Sequence, residues 1–172
     1  MLHIPDFLIP HFRTNHAGEM GAVYIYRAIL TFSKHKDIIL FSKKHLHTES
    51  QHLKKIEKIL PSNERSKLIF LWKFFGFMTG FIPSILGKKF IYATIYSVES
   101  FVETHYQIQI DLLKKKKNSK ELILFIKKLM DDEIEHKDEA FLNIEKFNVV
   151  HKLWGSIVKF GSISAVKISK FI

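Results

Sequence analysis

The chain has 172 residues, a length that suits one domain with its own core and leaves no room for a second ordinary one, so a single domain over 1–172 is expected. It has no cysteine, which excludes disulfides, thiolate metal sites, thiol nucleophiles and protein-held iron–sulfur clusters; any metal must be held by histidine and carboxylate. Its 27 basic and 17 acidic residues give a formal charge of +10, which favours anionic partners in general, although the lysines are spread along the chain and form no nucleic-acid block.

Only four prolines and seven glycines occur, and apolar residues recur at three- and four-residue steps, the pattern of an all-α chain with no strand pair. Residues 1–12, with two prolines, an aspartate and no basic stretch ahead of an apolar one, do not read as a secretory signal. The protein is therefore expected on the cytoplasmic side. A first helix is predicted from about Thr14 to Ser33. A second starts with Asp37 as N-cap and stops before Pro61. A third covers roughly Lys89 to Lys116, ending in the run Lys114 to Lys117, where cations oppose the negative end of the helix dipole in a solvated turn. A fourth runs from about Ser119 to Phe147, and an amphipathic stretch, 149–170, follows with Trp154, Ile157, Phe160 and Ile168 among four lysines.

Between the second and third helices lies the most hydrophobic segment, LIFLWKFFGFMTGFIPSILG at 68–87. As a helix it would rise about 30 Å, enough to span a bilayer. Lys73, Gly76, Gly80 and Pro83 argue against a span, because glycine and proline weaken or kink a helix. Apolar on nearly all faces and followed by Lys88 and Lys89, it reads best as an interfacial segment resting on a membrane.

Two Glu-x-x-His pairs occur, Glu49/His52 and Glu133/His136. Residues three apart share a helix face, so each pair presents a carboxylate and an imidazole together. In the fourth helix the apolar stripe Leu122, Ile126, Leu129 continues through Glu133 and His136 to Ala140, while Glu135 points about 200° away. In the second helix Glu49 and His52 fall in line with Leu46, Leu53 and Ile56. Glu19 sits on the stripe of Val23, Tyr26 and Leu30, and Glu99 on that of Tyr92, Tyr96, Val102, Tyr106 and Ile110. Four inward carboxylates are costly to bury unless something neutralises them. A lone glutamate precedes each pair, Glu19 before Glu49 and Glu99 before Glu133, which suggests two similar hairpins about a pseudo-twofold axis. One glutamate from each of two helices and one Glu-x-x-His from each of the other two is the ligand set of a four-helix di-iron or di-manganese site. Its oxygen and nitrogen donors suit iron or manganese. His3, His11, His35, His47 and His151 are expected to be solvated or capping; His45, one turn before Glu49, is a candidate to support the ligands from behind.

The segment Arg13-Thr-Asn-His-Ala-Gly-Glu19-Met-Gly-Ala22, then Glu49 and His52, then Val98-Glu99-Ser100 with His105-Tyr106, then Asp132-Glu133-Ile-Glu-His136, resembles the 5-demethoxyubiquinone hydroxylase family over nearly the whole chain and in order. The resemblance implies a ferritin-like four-helix bundle and a membrane-associated di-iron monooxygenase of ubiquinone biosynthesis. It implies two Fe(II) ions held by Glu19, Glu49, His52, Glu99, Glu133 and His136. It also implies O2-dependent hydroxylation of a polyprenyl 3-methyl-6-methoxy-1,4-benzoquinol, and roles for His105 and Tyr106 near the metals in electron and proton delivery. Tyr106 shares the inward stripe with Glu99, whereas His105 lies about 240° from it. Met20 stands where family members often carry tyrosine, a change that touches no proposed ligand.

No glycine fingerprint for a dinucleotide is present, so electrons are expected from the quinol, an external reductant such as NADH, or a partner. The expected partners are the quinol, a membrane lipid surface at the inner face of the cell membrane, and accessory proteins of the same biosynthesis. The alternatives are another ferritin-like di-iron oxidase or hydroxylase, and a non-enzymatic basic helical protein that binds acidic lipid.

Overall fold

The computed structural model describes residues 2–117, 119–144 and 146–172. Those residues form six helices and no strand: α1 (Ile9–Phe32), α2 (Lys36–Ile59), α3 (Ile69–Leu86), α4 (Lys88–Lys115), α5 (Lys120–Leu142) and α6 (Val149–Ser169), with short 3-10 turns at Asp6–Leu8 and Ser62–Glu64. The expected all-α architecture is present. Helix α1 pairs with α2 and α4 with α5 to make the four-helix bundle; α3 lies along α1 and touches α4, and α6 lies along α4 and touches α1. The two extra helices thus cover the α1/α4 side.

Local chemistry explains most of the boundaries. Helix α1 starts five residues earlier than expected because Pro10 sits in its first turn, where a missing N–H costs nothing. Helix α2 starts at Lys36, with His35 rather than Asp37 at the cap position. Asp37 instead lies in the first turn and ion-pairs with Lys88 at 2.5 Å, favoured by the helix dipole. The run after α4 is an exposed turn in which Lys117 takes a positive φ of 48° and ends the helix. Ser119 caps α5 by accepting from the Leu122 amide. Helix α5 stops at Leu142, short of Phe147; residue 145, inside that expected extension, is outside the described residues. Phe147 turns back onto Tyr96 and Phe141.

The 68–87 segment forms an unbroken helix, contrary to the breaking expected of its glycines and proline. Only Trp72, Gly76, Gly80 and Pro83 of α3 are buried. A Cβ at Gly76 would overlap the Gly21 carbonyl and one at Gly80 the Ile25 carbonyl, so the glycines serve close approach to α1 rather than a bend. Pro83 lies in the last turn, so the one N–H bond it forgoes and any kink it makes fall at the very end of the helix. Gly87, with φ 111°, turns the chain from α3 into α4.

The bundle core is cut into two. One apolar half gathers Ile25, Ile29, Ile38, Phe41, Ile91 and Ile95, and the other Leu8, Phe12, Ile56, Leu113, Leu122 and Ile126. Between them lies a polar waist.

Candidate metal centre

The waist is built by one residue or pair from each bundle helix: Glu19 from α1, Glu49 and His52 from α2, Glu99 from α4, Glu133 and His136 from α5. None is more than 4% exposed. On α5 every position of the expected stripe is buried. On α2 the buried line is Ile38, Phe41, His45, Glu49, His52 and Ile56; Leu46 and Leu53 lie at its edge, half-buried.

Two overlapping sets of side chains converge, Glu19, Glu49, His52 and Glu133, and Glu49, Glu99, Glu133 and His136. In each, one atom per residue lies within 4.8 Å of the others. Glu49 and Glu133 belong to both sets. Both imidazoles turn Nδ1 inward: His52 Nδ1 is 2.9 Å from Glu133 Oε1, and His136 Nδ1 is 3.0 Å from Glu49 Oε1 and 3.2 Å from Glu133 Oε2.

The electrostatics are those of charge crowded into a dry space. Burial first, then the neighbouring glutamates, raise Glu19 and Glu99 well above the usual carboxylate range. Burial opposes charge on His52 and His136, but the close approach of Glu133 and the surrounding carboxylates overcomes it and pushes both up to about 10. Burial would likewise raise Glu133, yet the imidazoles of His136, 3.2 Å away, and of His52, hydrogen-bonded to it, hold it at about 2. Hydrogen bonding does not saturate the cluster. Glu19 Oε2, Glu49 Oε1, Glu133 Oε2 and His136 Nδ1 are sealed from solvent with no aligned partner, the last in spite of its short approach to Glu49. Unpartnered atoms on three of the four carboxylates and on one imidazole fit a site for two divalent cations, whose +4 would balance the −4 of the four glutamates.

A supporting ring of groups orients these side chains. Tyr106 donates to Glu19 Oε1 at 2.5 Å. The outer nitrogen of His52, Nε2, is 2.9 Å from Asp132 Oδ2, the carboxylate–imidazole pairing that sets a metal-ligating histidine's tautomer. His45 is fully buried, packs its ring on His136 at 4.0 Å between centroids, and reaches Glu139 Oε2 at 3.1 Å. Tyr26 is buried edge-on to His136. Sequence reasoning carried Asp132 only as part of a motif and missed the partners of His45. Asp132 lies one residue before Glu133, where stripe periodicity points it outward.

His105 is buried at 9% exposure although it lies off the Glu99 stripe, because the N-terminal part of α1 and the end of α6 close that side of α4. Its ring is held by Thr14 at 2.8 Å and stacks on His11. His11 therefore departs from the expectation of a solvated histidine: it is half-buried, and its Nδ1 is sealed off. His151 caps α6 with Asn148, and His3, His35 and His47 are exposed, as expected.

A cavity of about 590 Å³ leads to the cluster, with Glu19, Glu49, Glu99 and Glu133 in its wall. Its remaining lining is chiefly apolar: Trp72, Phe75 and Met78 of α3, Trp154, Ile157 and Phe160 of α6. The same two helices carry much of the exposed apolar surface, including Phe70 at 78%, Ile85 at 66% and Phe160 at 73%.

An all-α, ferritin-like bundle around four buried glutamates and two histidines defines a class of proteins built to hold paired metal ions. Within it, residues 7–169 match the family described as ubiquinone biosynthesis protein COQ7, and the chain belongs to that family. It is 30% identical over 162 residues to the human protein named NADPH-dependent 3-demethoxyubiquinone 3-hydroxylase, mitochondrial, covering 92% of this chain and 75% of that one. The protein of the same name from Dictyostelium discoideum is 29% identical, covering 91% and 74%. The 3-demethoxyubiquinol 3-hydroxylase of Rhodospirillum rubrum is 28% identical, covering 96% and 79%.

Proposed function

We propose that the protein is a monooxygenase of ubiquinone biosynthesis that hydroxylates the ring of a polyprenyl 3-methyl-6-methoxy-1,4-benzoquinol, using O2 and a carboxylate-bridged di-iron centre. The observation that carries this reading is one continuous cavity, apolar where α3 and α6 line it and ending on the glutamate–histidine cluster. A ligand with a long apolar tail and a small oxygenated ring has that division of polarity. The names of the human and Rhodospirillum rubrum relatives support the same substrate.

Glu19, Glu49, His52, Glu99, Glu133 and His136 would hold two Fe(II) ions, with Glu49 and Glu133 shared. Bound there, the iron pair supplies O2 activation and oxygen transfer to the ring. The protein supplies the rest. Asp132 fixes the His52 tautomer, His45 braces His136, and the Tyr106 hydroxyl restrains Glu19 and holds a proton beside the cluster. Trp72, Met78 and Trp154 keep water from the ring. Electrons come from an external reductant, a nicotinamide in keeping with the human relative's name, or from the quinol.

The chain works as a peripheral protein on the cytoplasmic face of the inner membrane, and accessory proteins of the pathway are its natural partners there. Helix α3 is long and apolar enough to cross a bilayer. It lies instead along α1, and a crossing would separate Glu19, Glu49 and His52 from the other three ligands. Exposed apolar side chains on α3 and α6 give the entering tail a way from one leaflet into the cavity.

The test is metal content after anaerobic purification, wild type beside Glu99→Ala and Glu133→Ala. About two irons per wild-type chain are expected, falling sharply in both variants, with quinol turnover to a product heavier by one oxygen lost in parallel. Folded wild type that cannot be loaded with iron would overturn the oxygenase reading in favour of a lipid-binding helical module.

A further inference from the structure

One histidine in the cavity wall has a hydrogen-bonding sense fixed by its neighbours. Thr14 Oγ1 donates to the His11 carbonyl oxygen at 2.6 Å and lies 2.8 Å from His105 Nε2. A hydroxyl has one hydrogen and a carbonyl can only accept, so that hydrogen belongs to His11, and Thr14 accepts from His105 Nε2–H. An imidazole with its proton on Nε2 carries a bare lone pair on Nδ1. Burial first, then the charges of His11 and Lys170, bring His105 down to about 4, so the ring is neutral at pH 7. Among the described residues Nδ1 has no hydrogen-bond partner, and it is not among the atoms sealed from open space. The ring itself lines the cavity that holds Glu19, Glu99 and Glu133.

The frame around this pair is rigid. The Asn15 and Gln109 side-chain amides bond reciprocally at 2.9 and 2.8 Å, both buried, and Gln109 also donates to the His105 carbonyl at 3.3 Å. They lock α1 to α4 at the level of Thr14 and His105.

We infer that Thr14 is a positioning residue that presents His105 Nδ1 as a hydrogen-bond acceptor to a ring hydroxyl, so that the cavity selects the quinol over the quinone. The inference rests on the quinol reading of the cavity. A quinol hydroxyl donates to that lone pair, whereas a quinone carbonyl would set lone pair against lone pair. Selection for the reduced form also admits the ring in the state from which an oxygen atom can be added.

Binding to the full chain, loaded with redox-inert Zn(II) so that neither ligand is turned over, tests this. The probes are a decyl-tailed 2-methoxy-methyl-benzoquinol and its quinone, read by quenching of Trp72 and Trp154, which both line the cavity. Wild type should bind the quinol about tenfold more tightly than the quinone, the worth of one hydrogen bond. Thr14→Val should bring the ratio toward one by weakening the quinol alone, and Thr14→Ser should restore it. A purely structural role for Thr14 would weaken both ligands together, and that result overturns the inference, as does an unchanged ratio in Thr14→Val. Equal binding of both forms by wild type sinks the inference and leaves the hydroxylase reading standing. Binding of neither form removes both.

Discussion

At the residue scale, imidazoles and carboxylates are buried together in this bundle, and His105 makes the cost of that burial measurable. Unfolded, its imidazole takes a proton below the ordinary 6.5; folded, it does so only near 4. Between those values the unfolded state binds more protons, so stability is fully present above 6.5 and is lost as the pH falls toward 4. This one group should remove about 2 kcal/mol between pH 7 and pH 5. His45, lowered to about 3 by burial and then by the charges of His136 and Lys44, acts in the same direction. Urea unfolding at the two pH values is expected to show a smaller acid loss in His105→Gln than in wild type, by about that amount. An identical pH dependence in the two proteins would mean that His105 is not buried in its neutral form.

Among the elements, α3 depends most on particular small residues. Its buried stripe is narrow, and Gly76 lies where a side chain would strike the Gly21 carbonyl, a backbone atom that cannot swing aside. Gly76→Val should therefore push α3 off α1, open the cavity wall formed by Trp72 and Phe75, and cost about 2–4 kcal/mol. Gly161→Ala on α6, where nothing lies within 4 Å of an added Cβ, is the matched control and should leave the thermal midpoint near that of wild type. Equal midpoints for the Gly76 and Gly161 variants would show that the close approach of α3 is dispensable.

For the whole molecule, the proposed membrane attachment rests on charge and apolar surface together. The net charge of +10 would attract acidic lipid at long range, and exposed Phe70, Phe74 and Phe160 would enter the interface. Co-sedimentation with vesicles containing acidic lipid should weaken as salt rises, by screening of the charge. The triple variant Phe70→Ser, Phe74→Ser and Phe160→Ser should lose most of the binding that persists at high salt, while keeping its full metal content. Release of wild type from membranes only by detergent, and never by carbonate, would instead support an integral α3.

The helical class, the four stripes and the inward placing of Glu19, Glu49, His52, Glu99, Glu133 and His136 were legible in the sequence. Helical periodicity is local, and a charged residue on an otherwise apolar stripe is conspicuous within a few turns. The exact ends of α1 and α5 were less so, because caps and first-turn prolines compete within one or two residues of each other. What only the tertiary structure decided is what lies across from each residue. Pro83 and the α3 glycines read as breakers until α1 was found against them, and His105 read as outward until α1 and α6 closed over it. Thr14 marked only the expected start of the first helix in the sequence, and α4 brings His105 to its hydroxyl. Sequence spacing determines which face of its own helix a side chain occupies; contacts among α1, α3, α4 and α6 join residues tens of positions apart, and burial, tautomer and cavity shape follow from those contacts.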